Sequence, residues 1–356
     1  MKGQDIMKKI KKILSLLCFI IVTFLLSVSV FSTDYVYNND KRKEINFNDL
    51  ELYVGGMPFG VKIQTKGLQV IKFSEENAPA KLAGIKIGDY IIKVNDSNIN
   101  TIEDFTKEIN KTKGKEICVT VIRNEKEIKI NLKPSFSRDE GKYKTGIWVK
   151  DSTSGIGTIT YINPENNAFG GLGHGICDST TGKVLPLSRG IVLDVTINGV
   201  LKGQIGKAGE LKGTFNAKKI GVLNENSSCG VFGYLSNTPK SPENKMKLCT
   251  KENIKEGNAY IWCTLGNEEP QKYTVQISDI NINNENAKNF KVKITDKRLL
   301  ERSGGIVQGM SGSPVIQNGK LVGAVTHVLI NNPTEGYGIF IENMLNAAQM
   351  PLAKAS

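Results

Sequence analysis

Short β-branched runs punctuated by glycine dominate this chain, and stretches with the three-and-four apolar spacing of a helix are few. Residues 68–73, 118–123, 128–132, 190–197 and 315–326 each read as strand, the last folded into a hairpin at Asn318-Gly319. A short helix within 78–95 and a second over 101–111 are expected instead. One run stands apart. Residues 13–31 form nineteen uncharged positions, enough to span hydrocarbon, with Lys8, Lys9, Lys11 and Lys12 before them and Asp34 opening the polar stretch after them. This pattern predicts a mainly β protein behind an N-terminal transmembrane helix, with the lysines on the cytoplasmic side and the bulk of the chain outside. A cleaved signal peptide is the alternative, because Ser27, Ser29 and Ser32 are small, but no A-x-A pattern is present and an anchor is favoured.

Composition narrows the picture. At 356 residues and 39% apolar content the chain suits about two domains with real cores. The formal net charge of +12 raises nucleic-acid binding, yet basic residues alternate with glutamates, as in residues 41–44 and 123–127, and no such motif accompanies them. Attraction to anionic lipid headgroups is the simpler reading. Cys18 lies in the apolar run, and Cys118, Cys177, Cys229, Cys249 and Cys263 are odd in number with no C-x-x-C spacing. They read as structural thiols, with no metal or cofactor implied. Asn95-Asp96-Ser97 and Asn226-Ser227-Ser228 are uninformative, and Trp148 and Trp262 read as core.

The chemistry concentrates near the carboxyl end. Gly309-Met310-Ser311-Gly312-Ser313-Pro314 is a serine on a tight glycine turn, and the flanking glycines let the amides of Gly309 and Ser311 converge on one spot as an oxyanion hole. A serine nucleophile needs a base, and the chain has two histidines. His174 sits in Gly170-Gly171-Leu172-Gly173-His174-Gly175, backbone freedom that an incidental loop histidine does not require. His327, on the last strand of the Ser311 hairpin, reads as a strand-end residue near the site. Asp178, Asp194 and Asp296 are the acids available to orient the imidazole, and spacing does not choose among them. Cys177 competes weakly as a nucleophile, three residues from His174.

Residues 293–337, with Ile294-Thr295-Asp296, the 304–314 run, Gly323-Ala324-Val325-Thr326-His327 and the separate segment Gly173-His174-Gly175-Ile176, resemble the SpoIVB serine peptidase family of endospore-forming bacteria. The similarity runs from the apolar segment to the end of the chain. By position it implies His174 as base, Ser311 as nucleophile and Asp296 as acid. The wider likeness to chymotrypsin-like proteases implies a double β-barrel. Met310 stands where many of those enzymes carry an aspartate that pairs with a new amino terminus, so that activation switch is not expected.

Residues 78–95 resemble a PDZ domain through A-x-x-A-G-I-x-x-G-D-x-I-x-x-V-N. That fold is α+β, binds an extended peptide by strand addition, and here implies a carboxylate-gripping loop at Met57, Pro58, Phe59 and Gly60. The peptide is substrate or the protein's own chain; a spacer with a degenerate groove is the alternative. The expected organisation is a basic cytoplasmic segment over 1–12, an anchor or signal over 13–31, linkers over 32–50 and 135–145, a PDZ domain over 51–134 and a peptidase domain over 146–356. The family resemblance implies a single-pass membrane endopeptidase between forespore and mother cell, cutting itself and a membrane-bound regulatory protein in sporulation signalling. A catalytically silent PDZ adaptor is the competing expectation.

Overall fold

The computed structural model describes residues 47, 49–178, 181–237 and 245–348. The expected span at 13–31 lies outside the described residues, within which no helix is long and apolar enough to cross a membrane.

Two closed antiparallel β-barrels organise the chain. In the first, Ile147–Ile162, Ala168–Gly171, Gly230–Leu235, Glu210–Ser227, Leu187–Leu201 and Pro58–Phe73 neighbour one another in that order, and Pro58–Phe73 pairs back onto Ile147–Ile162. In the second, Gly257–Cys263, Gln271–Ser278, Phe290–Ile294, Asn332–Phe340, Lys320–Leu329 and Pro314–Gln317 close the ring. Period-two burial explains both. Phe59, Val61 and Ile63 alternate into one core with Ile159, Phe169 and Val192, while Val275, Ile277, Val292 and Ile294 alternate into the other.

The expected α+β PDZ region grows out of the first barrel. The second half of Pro58–Phe73 leaves the barrel at a bulge by Gly67 and pairs with Tyr90–Val94, which continues into the hairpin Ile117–Arg123 and Lys126–Leu132. Leu68, Val70, Ile91, Val119 and Val121 form its core with Phe105 and Ile109 of the helix Ile102–Lys111. That helix begins where expected because Thr101 and Asp104 form a reciprocal capping box. Asp89 of the Gly88-Asp89 turn is buried and bound by Arg123 through two nitrogens, at 2.7 Å each.

One expectation is corrected. Pro58, Phe59 and Gly60 do not form a ligand loop: they open a strand paired on one side with Thr158–Ile156 and, from Gly60 onward, on the other with Leu193 and the residues before it, and Met57 precedes it with its carbonyl accepting the Ile159 amide at 3.0 Å. Phe59 is fully buried in the barrel core. A strand with both edges occupied has no free edge to add a peptide to. The expected linker over 135–145 holds a small hairpin, Ser135–Ser137 with Lys142–Lys144, whose Tyr143 packs against the PDZ core.

Candidate active site

The Ser311 turn is held by the first barrel. Gly309 and Gly312 adopt φ of +98° and +95°, and the turn between them is clamped by two threonines on one face of the strand Ile147–Ile162. The Thr158 amide donates to the Ser311 carbonyl at 2.9 Å, its hydroxyl to the Gly309 carbonyl at 2.8 Å, and the Thr160 hydroxyl to the Gly312 carbonyl at 2.8 Å. Both threonines are buried, so each hydroxyl needs such a partner. The sequence reading missed them, since Thr-Ile-Thr looks like any β-branched strand. Among the described residues, neither the Gly309 nor the Ser311 amide donates to a protein acceptor, and both residues line the adjoining cavity.

His174 reaches the same cavity from the first barrel. Gly173, at φ +67°, lies so close to the second barrel that a Cβ would stand 2.9 Å from both the Thr326 and Ile339 methyls. Leu172 before it also has positive φ, +64°, an unfavourable conformation for a branched-chain residue. The His174 Nδ1 lies 2.9 Å from the Gly175 carbonyl, which can only accept, so Nδ1 carries the proton and Nε2 keeps its lone pair. Burial holds the His174 pKa below its ordinary value, partly opposed by that hydrogen bond.

His327 also lines the cavity, its ring centroid 4.8 Å from that of His174 and tilted by 38°. Its Nδ1 lies 3.1 Å from the Thr326 hydroxyl. Burial, then the charges of His174 and Lys288, push its pKa down to about 4. The two imidazoles are thus neutral at neutral pH. A base must be neutral to act, so the acid limb of kcat/KM against pH is expected to have its midpoint below 6.5, the ordinary imidazole value. Stability follows the same sign: between pH 6.5 and about 4 the unfolded chain binds protons that the folded one refuses, so the thermal midpoint falls as pH is lowered through that window. Replacing His327 with Gln should flatten that fall, as thermal unfolding at pH 7 and pH 5 would register.

The Ser311 hydroxyl donates to the Thr326 carbonyl at 2.7 Å, so its proton points at its own barrel rather than at His174. The cavity holding all three groups has a volume of about 400 Å3.

Among the described residues no carboxylate lines it. The expected acid, Asp296, is instead the N-cap of the helix Lys297–Ser303, where its oxygens accept from the Arg298 amide and guanidinium and from the Thr274 amide. Arg298 holds that carboxyl below the usual carboxylate range. An ordinary capping role therefore accounts for Asp296 fully. Asp178 accepts from the Gln69 side chain at 2.6 Å in the PDZ direction, and Asp194 from Asn216 at 2.8 Å. Cys177 does not line the cavity, and burial raises its thiol pKa, so it is poorly suited to be a nucleophile. The five described cysteines are unbridged.

A second cavity, of about 350 Å3, lies between the helix Ile102–Lys111 and the start of the strand Ile147–Ile162. Phe105, Ile109, Tyr143, Gly146, Ile147 and Trp148 line it. Here residues 147–150 pair by one edge with Gln69–Phe73, so a strand-and-helix groove exists, built partly from the peptidase region and not from the loop expected at Met57–Gly60.

Two barrels enclosing a serine and a histidine, with a PDZ domain rooted in the first barrel, define the class as a PDZ-containing protein of peptidase-type architecture. The chain belongs to the SpoIVB peptidase S55 family, whose model matches residues 141–345, and a PDZ domain model matches residues 55–133. Among curated proteins it is 36% identical over 92 residues to a candidate zinc metalloprotease of Clostridium acetobutylicum, covering 26% of each chain. It is 34% identical over 110 residues to a protein named as a DegP-like periplasmic serine endoprotease, of Bartonella henselae, covering 25% of this chain and 22% of that one. The chain thus spans about a quarter of the length of these relatives. Among solved structures it is similar to the active form of the Rv3671c protease from M. tuberculosis, at 14% identity and a TM-score of 0.30, covering 56% of this chain and 78% of that one.

Proposed function

We propose that Ser311 is the nucleophile and His174 the base of a membrane-anchored endopeptidase acting outside the cytoplasm. The observation that carries this is one cavity lined by Ser311, His174 and Gly309, with the Gly309 and Ser311 amides donating to no protein acceptor among the described residues. A rotation about the Ser311 Cα–Cβ bond releases its proton from the Thr326 carbonyl. The proton passes to His174 Nε2 as the oxygen attacks a peptide carbonyl, the Gly309 and Ser311 amides receive the developing oxyanion, and His174 returns the proton to the leaving amine. The Gly175 carbonyl, not a carboxylate, holds the imidazole in its reactive tautomer.

Family membership supports self-cleavage and cleavage of a membrane-associated regulatory protein in sporulation signalling. The basic segment and apolar run before residue 32 support single-pass anchoring. The groove between Ile102–Lys111 and residues 147–150 suits an extended peptide, from substrate or from the chain itself. The competing reading, a silent PDZ adaptor, draws on the Ser311 hydroxyl bonding Thr326 and on a cavity lining with no carboxylate among the described residues. Mass spectrometry of purified wild-type protein and Ser311→Ala separates the two. Self-cleavage fragments in the wild type alone are expected; identical fragmentation, or none in either with every protein offered, favours the adaptor.

A further inference from the structure

The same cavity has a side wall that catalysis does not use. Ile306 and Val307, on the approach to the Ser311 turn, line it together with Val328 and Ile330, on the chain leaving Thr326, and with Ala208, between two strands of the first barrel. Ile306 and Val307 are almost wholly buried, Ala208 and Val328 half-buried, and Ile330 is 55% exposed at the mouth. The turn Gln204 to Lys207 is fastened there by the Gly206 amide, which donates to the Ile330 carbonyl at 2.9 Å, and it presents Ile205 with 82% of its surface open. Among the described residues no Asp, Glu, Lys or Arg lines the cavity.

We propose that this wall is the specificity pocket, and that it receives an uncharged aliphatic side chain from the residue supplying the scissile carbonyl. The reasoning rests on Ser311 being the nucleophile. A carbonyl oxygen held by the Gly309 and Ser311 amides brings its own side chain against the residues immediately before that turn, which are Ile306 and Val307. An aliphatic group there exchanges water for hydrocarbon, whereas an ammonium or carboxylate loses its hydration with no opposite charge to meet it. Gln308, which also lines the cavity, is exposed and offers hydrogen bonds but no counter-charge. The open side chains of Ile205 and Ile330 extend the apolar surface to the rim, so recognition begins before the side chain is fully enclosed.

The test uses the full-length protein in detergent and internally quenched peptides that differ only at the residue before the cut, carrying Leu, Val, Lys or Asp. The kcat/KM for Leu and Val should exceed that for Lys and Asp by about 100-fold. Ile330→Asp, at an exposed position that tolerates a charge without unfolding, should shift the Lys-to-Leu ratio toward Lys by about tenfold. Equal cleavage of the Lys or Asp peptide by the wild type overturns the pocket. A fluorophosphonate probe run in parallel keeps the two levels apart. Labelling at Ser311 with a flat peptide profile removes the pocket and leaves the nucleophile, while absence of labelling removes both.

Discussion

His174→Ala is expected to lower peptide hydrolysis by about 10⁴- to 10⁶-fold, whereas Asp296→Asn lowers it by less than about tenfold. The contrast follows from where the two side chains go. His174 shares the cavity with Ser311 and has its Nδ1 proton fixed on the Gly175 carbonyl, which leaves Nε2 as a base with no substitute except His327. Asp296 gives its hydrogen-bonding capacity to Arg298 and Thr274 at a helix start. In enzymes whose carboxylate does orient the imidazole, the Asp-to-Asn change alone costs about 10⁴ in kcat, so a loss of that size here would restore Asp296 as the acid. Steady-state kinetics on a quenched peptide, with circular dichroism to establish that each variant is folded, measures both. The loss in Asp296→Asn should appear in the thermal midpoint, through the weakened cap, more than in kcat.

Gly312→Ala is expected to cost at least about 100-fold in activity and to lower the thermal midpoint, because a Cβ there would lie 2.0 Å from the Thr158 carbonyl oxygen and 2.5 Å from the Leu172 amide. Both are backbone atoms of the elements that hold the Ser311 turn and lead into His174, so relief of the overlap must shift the Ser311 or the His174 side chain. Gly84 supplies the control. Its φ of +96° nearly equals the +95° of Gly312, but nothing lies within 4 Å of its added Cβ. Gly84→Ala should therefore cost only the left-handed strain, about 1–2 kcal/mol of stability, with activity unchanged. Equal behaviour of the two variants in thermal unfolding and in peptide hydrolysis would show that the packing at Gly312 is not what positions the turn.

The Ser311 turn was legible because its chemistry is local. Glycines at 309 and 312, the serine between them and the Asn318-Gly319 hairpin after them are all within reach of short-range rules. His174 was legible for a related reason, since the glycine before it marks a close approach; the structure identifies what is approached, the Thr326 and Ile339 methyls of the other barrel. Asp296 was less legible because an acid fifteen positions before the serine suits a helix cap as well as a triad, and the hydrogen bonds to Arg298 and Thr274 are set by the folded structure. Met57 to Gly60 were misread for a different reason. The alternation Phe59, Val61, Ile63 is the same whether a strand has one free edge or none, and edge occupancy depends on partners almost a hundred or more residues away.

Sequence alone determined the mainly β class, the PDZ-type turn with its helix, and the serine and histidine that meet in one cavity as candidates, because period-two burial and glycine turns are properties of a few neighbouring residues. Tertiary structure alone decided that Pro58–Phe73 and Ile147–Ile162 each serve both the barrel and the PDZ sheet, that Thr158 and Thr160 hold the Ser311 turn, and that a second imidazole stands beside the first. The physical reason is range. Hydrogen bonds such as that from Thr158 to Gly309, 151 positions apart, and the meeting of His174 with His327 across two barrels are set by how closed sheets pack, which no local pattern encodes.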